Sequence, residues 1–375
     1  MTHVKHLRCV LCKTTYPANK PVFECSCGGP LDVIYDYEEI KSFVNTPDFK
    51  RQEVTHWKYW PFFPVEHLDK KISMGEGGTA LLRSTQFKNT YFKIEGMNPT
   101  GSFKDRGSTI ELTKARKFKA KEVVCASTGN MGASIAAYAA RAGIRCTAFI
   151  PTFAPKQKVA QIKAVGTKVI PVRGTYELAV RKTLELRERK GVYLTGDYAY
   201  RGEGQKSVAF EIIDQLDWNV PDNIVVPVGN ATLLSATFKA VSELKKVGLI
   251  DELPHIVGVQ SSGCAPLYKA WKSAAFKKYQ GTQDIIKTIK KPKTIASAIA
   301  CGHPVDGVKA LNYLKQFGEL TTVTDREILS ARKELGIEGI YVEPSGAVSL
   351  AGMKKLKLRG TTVCVLSGHG LKVLL

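Results

Sequence analysis

Residues 93–107 read KIEGMNPTGSFKDRG, a strand-like start followed by a concentrated turn signal and a charged segment. The run 98–102 (NPTGS) is typical of a tight turn and predicts a helix that begins near Ser102 or Phe103. Lys104 then lies in the first turn of that helix, where the positive end of the helix dipole lowers the pKa of its amine. A neutral amine can form a Schiff base. The local sequence alone, with Asp105 and Arg106 beside the lysine, favours an ordinary solvated side chain.

Three further segments place a polar turn after a strand-like run. The run 122–125 leads into Ser-Thr-Gly-Asn at 127–130, the run 223–228 into Gly-Asn-Ala-Thr at 229–232, and the run 361–366 into Ser-Gly-His-Gly at 367–370. A turn between a strand and a helix presents backbone N–H groups to an anion. One such turn is weak evidence. Together with the Lys104 turn, the three predict a site built from four parts.

Strand-like and helix-like segments alternate from about residue 75 onward. This alternation predicts the α/β class, with parallel sheets covered by helices. The strand-like runs are 122–125, 145–150, 167–172, 223–228, 255–260 and 361–366, and the helix-like runs between them include 131–141, 157–165 and 176–189.

The composition limits the possible classes of function. The chain has 375 residues, with 55 Lys or Arg against 34 Asp or Glu, so its formal net charge is +21. This length predicts two or more domains, and no apolar run reaches the ~18 residues that a membrane span needs. The charge suits either nucleic acid or phosphorylated substrates. Because the basic runs are scattered and lack interleaved aromatic residues, they are typical of solvated helix faces and argue against nucleic acid as the main partner.

The nine cysteines are an odd number, which argues against a disulfide framework and favours a reducing cytoplasm. Cys9 and Cys12 form a C-x2-C pair, and Cys25 and Cys27 form a C-x-C pair before two glycines. Four thiolates can close a tetrahedral structural zinc site, although free thiols in a small ribbon remain the alternative. Residues 1–40 are therefore expected to form a zinc-ribbon-like module, and residues 41–74 (containing HWKYWPFFPVEHL) a packing arm.

The order of these motifs resembles the fold-type II pyridoxal-phosphate (PLP) enzymes and, within them, the threonine synthase family. The likeness rests on 98–107 (NPTGSFKDRG), 127–143 (STGNMGASIAAYAARAG), 203–212 (EGQKSVAFEI), 343–347 (EPSGA) and 367–372 (SGHGLK). It implies a tryptophan synthase β-like fold with two three-layer α/β domains after the cysteine-rich ribbon. Residues 75–110 and 206–375 would form the large PLP-binding domain and residues 111–205 a small mobile domain. A cytoplasmic homodimer is also implied.

The resemblance further implies roles for individual residues. Lys104 would bind PLP as a Schiff base and then move protons. The substrate would be O-phosphohomoserine, which the family converts with water into threonine and phosphate. Asn130 would contact the cofactor's ring hydroxyl, and Ser367 would contact its pyridine nitrogen. The cofactor phosphate would be bound by Gly229, Asn230, Ala231 and Thr232. The substrate carboxylate would be bound by Ser127, Thr128 and Gly129, and the substrate phosphate by Arg201.

The sequence departs from the family pattern at positions that serve the substrate phosphate. Met131 replaces a threonine, and residues 195–198 read TGDY in place of Asn-Ser-Val-Asn. The turn expected to bind the cofactor phosphate also differs, since residues 229–233 read GNATL in place of Gly-Asn-Ala-Gly-Asn, but its contacts are mainly from the backbone and should survive. Three alternatives stay open, the first because of Met131 and residues 195–198 and the last because of the net charge and the cysteine cluster. One is a cysteate-synthase-like enzyme that uses O-phosphoserine and sulfite, and another is a serine or threonine dehydratase. The third is a zinc-ribbon nucleic-acid binder on an inactive fold.

Overall fold

Three β-sheets organise the chain. The computed structural model describes residues 3–127, 129–152, 154, 156–173, 176–186, 189–279, 281 and 283–373. In this part of the chain, no helix combines the length and the apolar character that crossing a membrane requires. The strands are β1 (Val4–Cys9), β2 (Thr15–Tyr16), β3 (Leu31–Tyr35), β4 (Leu81–Arg83), β5 (Thr90–Ile94), β6 (Glu122–Cys125), β7 (Arg145–Pro151), β8 (Lys168–Val172), β9 (Val192–Leu194), β10 (Asn223–Pro227), β11 (His255–Ser261), β12 (Glu319–Val323) and β13 (Thr362–Leu366).

The helices lie mainly between consecutive strands, as the α/β pattern predicts. They are α1 (Tyr37–Val44), α2 (Pro47–Arg51), α3 (Lys104–Lys117), α4 (Asn130–Ala142), α5 (Lys156–Ala164), α6 (Tyr176–Leu184), α7 (Ala199–Gln205), α8 (Ser207–Gln215), α9 (Thr232–Lys246), α10 (Pro266–Lys272), α11 (Ala274–Lys277), α12 (Gly307–Leu314), α13 (Asp325–Ile337) and α14 (Pro344–Leu356).

The largest sheet has the strand order β12-β11-β10-β13-β5-β4. Its pairs are parallel except for the edge pair β4–β5. Strands β10 and β13 are buried throughout, as expected where helices cover both faces of a parallel sheet. Because β10, β13 and β5 are neighbours and parallel, the turns that follow them emerge at one edge of the sheet. Three of the four predicted turns are therefore brought together by sheet topology.

A second sheet has the order β8-β7-β6-β9, and all of its pairs are parallel. Strand β6 leads into the fourth predicted turn. These two parallel sheets confirm the predicted α/β class. Their strands fall inside the segments assigned to the two domains, and the exact boundaries at residues 75, 111 and 206 stay a prediction.

Helix α3 lies between the two sheets and is buried from Asp105 to Ala115 although its sequence is polar. Its charges are balanced internally. Arg106 contacts Glu95 and Glu211 at 2.6 Å, and Lys93 contacts the same Glu211 at 2.7 Å. Buried charges are tolerated when they are paired and hydrogen-bonded in this way. The network fixes the orientation of the helix that begins at Lys104.

The N-terminal strands form a separate sheet in the order β2-β1-β3. It packs against α7, where the Tyr35 hydroxyl donates to Glu203 at 2.7 Å. In the following segment, the side chains of Tyr59, Phe62 and Phe63 are fully buried in the core beside α8 and α9. The aromatic segment is thus part of the core, and its assignment to a packing arm at residues 41–74 stays a prediction.

Some elements differ from the sequence prediction. Strand β12 was not anticipated because its ELTTV sequence lacks a strong apolar run. Helix α6 ends at Leu184, short of the predicted residue 189. Lys114, which belongs to a basic run interpreted as a solvated face, is in fact buried, with its Nζ 4.6 Å from the Tyr200 ring centre.

Candidate active site

The four predicted turns meet at the carboxyl edge of the large sheet. The Phe103 amide donates to the Ser367 carbonyl at 3.1 Å, and the His369 amide donates to the Gly101 carbonyl at 2.9 Å. These two bonds join the lysine turn to the turn after β13. Ligands of open α/β sheets bind at this edge, outside the carboxyl ends of the strands. Ser367, buried, sits between the lysine turn and the start of α14.

Lys104 is the first residue of α3, as the sequence predicted. Its Nζ lies 4.6 Å from the centre of the Phe103 ring. Burial lowers the pKa of Lys104, and the Asp197 carboxylate partly opposes this effect by raising it. Among the described residues none accepts a hydrogen bond from this Nζ. The amine is therefore shifted toward its neutral form and is available to a ligand.

The conformation of the lysine turn depends on Asp105, a residue to which the sequence gave no role. Its carboxylate is buried and accepts from the Thr100 amide at 2.7 Å and from the hydroxyls of Thr100 and Ser134 at 2.6 Å each. Ser134 belongs to α4, so Asp105 connects the lysine turn to the helix that begins at Asn130. The pKa of Asp105 is raised by burial.

Asn130 starts α4 and is buried at the same junction. Its Nδ2 donates to the Glu343 carboxylate at 2.7 Å. Its Oδ1 has no partner among the residues that the structure describes. A buried polar atom without a partner is uncommon in a folded protein and is expected where a ligand completes the hydrogen bonding.

The turn before α4 is packed closely onto the helix. The Ser127 hydroxyl accepts from the Gly132 amide at 3.1 Å and from the Gly129 amide at 3.4 Å. A Cβ at Gly132 would lie 2.2 Å from the Ser127 carbonyl oxygen, so only glycine fits there. Thr128, the remaining residue predicted for the substrate carboxylate, lies outside the described residues.

The turn at 229–232 joins β10 to α9. Ala231 adopts a left-handed conformation (φ +67°) immediately before the helix. No described residue accepts a hydrogen bond from the N–H groups of Gly229, Asn230 or Ala231. The Asn230 side chain instead accepts from the Val305 amide at 2.7 Å, which fixes the turn from outside. Free N–H groups at the start of a long helix suit a phosphate.

Arg201 lies beneath the site, and its side chain is fully buried. It donates to the Gly196 carbonyl at 2.9 Å and pairs with Glu111, while its Nη1 is 3.4 Å from the Lys104 carbonyl. Burial raises the pKa of Glu111 to about 7, against the opposing effect of Arg201. The guanidinium is thus occupied by protein acceptors, and its contact with a substrate phosphate stays a prediction.

Asp197, one of the positions that depart from the family pattern, contacts the turn at 229–232. Its carboxylate accepts from the Thr232 hydroxyl at 3.2 Å. The neighbouring Gly196 is held on both sides, by the Arg201 bond to its carbonyl and by a 2.9 Å bond from its amide to Glu111. The site therefore contains a carboxylate near Lys104 in addition to the groups that the sequence singled out.

The four N-terminal cysteines also come together. The sulfur atoms of Cys9, Cys12, Cys25 and Cys27 lie within 4.8 Å of one another. The closest pairs are Cys9–Cys27 at 3.5 Å and Cys12–Cys25 at 3.4 Å. This spacing matches the four sulfurs of a tetrahedral site with metal–sulfur bonds of about 2.3 Å.

Comparison with known proteins agrees with this geometry. Residues 72–368 match the model of the family described as pyridoxal-phosphate dependent enzyme. The threonine synthase of Methanocaldococcus jannaschii is 43% identical over 97% of this chain and 92% of that protein. The threonine synthase of Methanosarcina acetivorans is 42% identical over 98% of this chain and 92% of that protein. These matches confirm the predicted family and enzyme class, in preference to a nucleic-acid binder on an inactive fold.

Solved structures support the fold. The structure of maize serine racemase superposes on 78% of this chain, using 88% of the racemase chain, with a TM-score of 0.65 at 23% identity. The serine racemase of Dictyostelium discoideum covers 76% and 88% with a TM-score of 0.62 at 25% identity. Fold and sequence agree, and the chain belongs to the threonine synthases within the family of pyridoxal-phosphate-dependent enzymes.

Proposed function

We propose that the chain converts O-phosphohomoserine and water into threonine and phosphate at the junction of the four turns, with PLP as its cofactor. The observation that carries this proposal is the environment of Lys104. Lys104 is half-buried, burial lowers the pKa of its amine, and no described residue accepts a hydrogen bond from that amine. The residue lies where the turns that contain Asn130, Gly229 and Ser367 converge.

The residues at this junction fit PLP. Lys104 offers the amine, and the N–H groups of Gly229, Asn230 and Ala231, together with Thr232, offer donors for the phosphate. The buried Asn130 amide would lie beside the ring hydroxyl, and the Ser367 hydroxyl beside the pyridine nitrogen. A hydroxyl partner leaves that nitrogen largely unprotonated. When bound, PLP supplies an electron sink for the charge that develops at the substrate's Cα.

Lys104 would carry protons between substrate carbons. With the substrate bound, Lys104 would accept the proton from Cα, and its lowered pKa favours the neutral amine that this step needs. The Asp197 carboxylate raises the same pKa and so stabilises the ammonium that results. Proton removal at Cβ, departure of the γ-phosphate and protonation at Cγ would follow in the same pocket. Addition of water at Cβ and return of a proton to Cα would then complete threonine. A positioned acid–base group is worth about 10²–10⁴-fold in rate.

The substrate carboxylate would bind at the start of α4. The Ser127 hydroxyl and the Gly129 backbone lie there, at the positive end of a 13-residue helix. Thr128 completes this part of the proposal. Arg201 is proposed for the substrate phosphate because its charge already reaches the site, where it contributes to lowering the pKa of Lys104.

A structural zinc ion is the second proposed cofactor. The sulfurs of Cys9, Cys12, Cys25 and Cys27 supply four ligands and leave no open position, so the metal would stabilise the ribbon and take no part in the reaction. A cytoplasmic homodimer is proposed from the family likeness. The nine cysteines are all thiols in the structure, which suits a reducing compartment.

A second candidate substrate is O-phosphoserine, with sulfite as the nucleophile. It is favoured by Met131 and by residues 195–198, because a thioether cannot donate a hydrogen bond to a substrate phosphate as the family's threonine does, and the family's two asparagines at 195–198 are replaced by Thr195 and Tyr198.

A substrate panel tests the proposal. Phosphate release and the visible absorbance of PLP would be followed with O-phosphohomoserine and with O-phosphoserine plus sulfite, and ammonia release with threonine. Threonine formed from O-phosphohomoserine at the highest kcat/KM is the expected result. Preference for either other substrate would assign the reaction to the corresponding alternative. Lys104→Ala should lose both turnover and the absorbance band of lysine-bound PLP, and retention of both would refute the role of Lys104.

A further inference from the structure

A buried carboxylate, that of Glu343, connects the two sides of the proposed cofactor site. Glu343 precedes α14 and is 1% exposed. Its Oε1 accepts from Asn130 Nδ2 at 2.7 Å, a contact between residues that are 213 positions apart. Its amide donates to the Gly368 carbonyl at 3.1 Å, immediately after Ser367. Glu343 thus contacts both Asn130 and the residue that follows Ser367.

Close packing leaves Glu343 little freedom. A Cβ at Gly368 would lie 2.4 Å from Glu343 Oε1 and 3.3 Å from Asn130 Nδ2, so the glycine makes room for the carboxylate and the amide together. Pro344 in the first turn of α14 and the bond from the Gly346 amide to the Glu343 carbonyl fix the backbone at this point. The carboxylate therefore has a defined position relative to Asn130.

We propose that Glu343 is a positioning residue that determines which end of the Asn130 amide faces the cofactor's ring hydroxyl. This inference rests on the proposed function, because it assumes that PLP binds beside Asn130. A carboxylate can only accept hydrogen bonds, so it binds the NH₂ end of the amide and never its oxygen. The second N–H of that NH₂ group is then directed to the ring oxygen. The opposite orientation would place the amide oxygen against an electron-rich oxygen.

Glutamine at position 343 would no longer fix the orientation of the Asn130 side chain, because the glutamine amide can pair with either end of the Asn130 amide. The expected effect of Glu343→Gln is a dissociation constant for PLP that rises about tenfold to hundredfold, which corresponds to losing one hydrogen bond to a charged group. The position of the visible band should shift, since the ring hydroxyl loses its fixed donor. Glu252→Gln is the matched control, because Glu252 is exposed and distant in sequence from every turn of the site.

A double-mutant cycle on the full-length holoenzyme separates positioning from general damage. If Glu343 acts through Asn130, Glu343→Gln should raise the PLP dissociation constant less than twofold in an Asn130→Ala background and leave its spectrum unchanged. The proposal would be overturned if the two substitutions raised the PLP dissociation constant independently, so that their effects multiplied. It would also be overturned if the Glu343→Gln protein had the wild-type dissociation constant and the wild-type absorbance band.

Glu343→Asp is the second variant, for use if Glu343→Gln does not fold. It keeps the charge but shortens the side chain by one methylene, so the same two readouts should change, and wild-type values would again overturn the proposal. The wild-type chain serves as the check on the proposed function. If it shows no Lys104-dependent PLP band, the proposed function fails. If it shows that band while the Glu343 variants match it, only the role of Glu343 fails.

Discussion

The fully buried His56 should make the protein lose stability as the pH falls below about 6.5. Its ring stacks on Phe63 with 4.7 Å between the ring centres, and its Nδ1 lies 2.9 Å from the Ser207 hydroxyl. Burial lowers the pKa of His56 from 6.5 to about 4; Glu76 opposes this change and the Arg106 charge adds to it. Because the folded pKa lies below the unfolded one, the unfolded state binds the proton first. Each pH unit between the two values therefore costs about 1.4 kcal/mol, or about 2 kcal/mol at about pH 5.

Urea unfolding of the wild type and of His56→Gln at about pH 7.5 and about pH 5 measures this effect. The absolute stability of the variant is not the readout, since the substitution also changes packing. The readout is the loss in unfolding free energy between the two pH values, which should be about 2 kcal/mol smaller in the variant. The control variant His67→Gln lacks an exposed histidine of the same region. Its unfolding free energy should fall between the two pH values by as much as that of the wild type. An equal loss in His56→Gln and in the wild type would refute the reasoning.

Three further predictions concern the site and its supports. Gly132→Ala places a methyl group 2.2 Å from the Ser127 carbonyl oxygen and should raise KM at least about tenfold in steady-state kinetics, whereas Gly336→Ala, with no atom within 4 Å of the new methyl, should leave KM unchanged. Glu211→Gln removes the carboxylate that pairs with both Lys93 and Arg106 in the interior. It should lower the unfolding free energy, measured by urea denaturation, by about 3–5 kcal/mol. Cys12→Ser should reduce bound zinc, measured by elemental analysis, and lower the thermal midpoint of unfolding.

The helix starts at the site could be predicted from the sequence because their signals are local. A β-branched run followed by Gly, Asn, Ser or Thr marks a strand that ends in a turn, and the structure begins α3 at Lys104, α4 at Asn130 and α9 at Thr232. The parallel sheets then bring these turns to one edge without any further information from the individual side chains.

Contacts between distant segments could not be predicted in the same way. Asn130 and Glu343, or Asp197 and Thr232, are ordinary polar residues in their own segments, and nothing in either segment indicates the partner. Arg201 is a second example. The family resemblance assigned it to the substrate phosphate, whereas its pairing with Glu111 depends on the packing of α7 against α3, which neither segment indicates.

Helix α3 misleads sequence analysis for a physical reason. Periodicity identifies a buried face only when the opposite face is solvated, and α3 has no solvated face over most of its length. Its polar residues are satisfied by Glu95, Glu211 and Arg201 from other segments. The same composition that suggests an exposed helix therefore belongs to a helix that is buried over most of its length.

The net charge of +21 must be understood together with this internal pairing. Burying an unpaired charge is costly, and the interior is accordingly close to neutral. Lys114 supports the argument, because it is buried without a carboxylate among the described residues and burial lowers its pKa to about 7. The positive excess consequently lies at the surface, where it can attract a phosphorylated substrate without contributing to the fold. The buried cations that do contact carboxylates are Lys58, Lys93, Arg106, Arg201, Lys206 and Lys239.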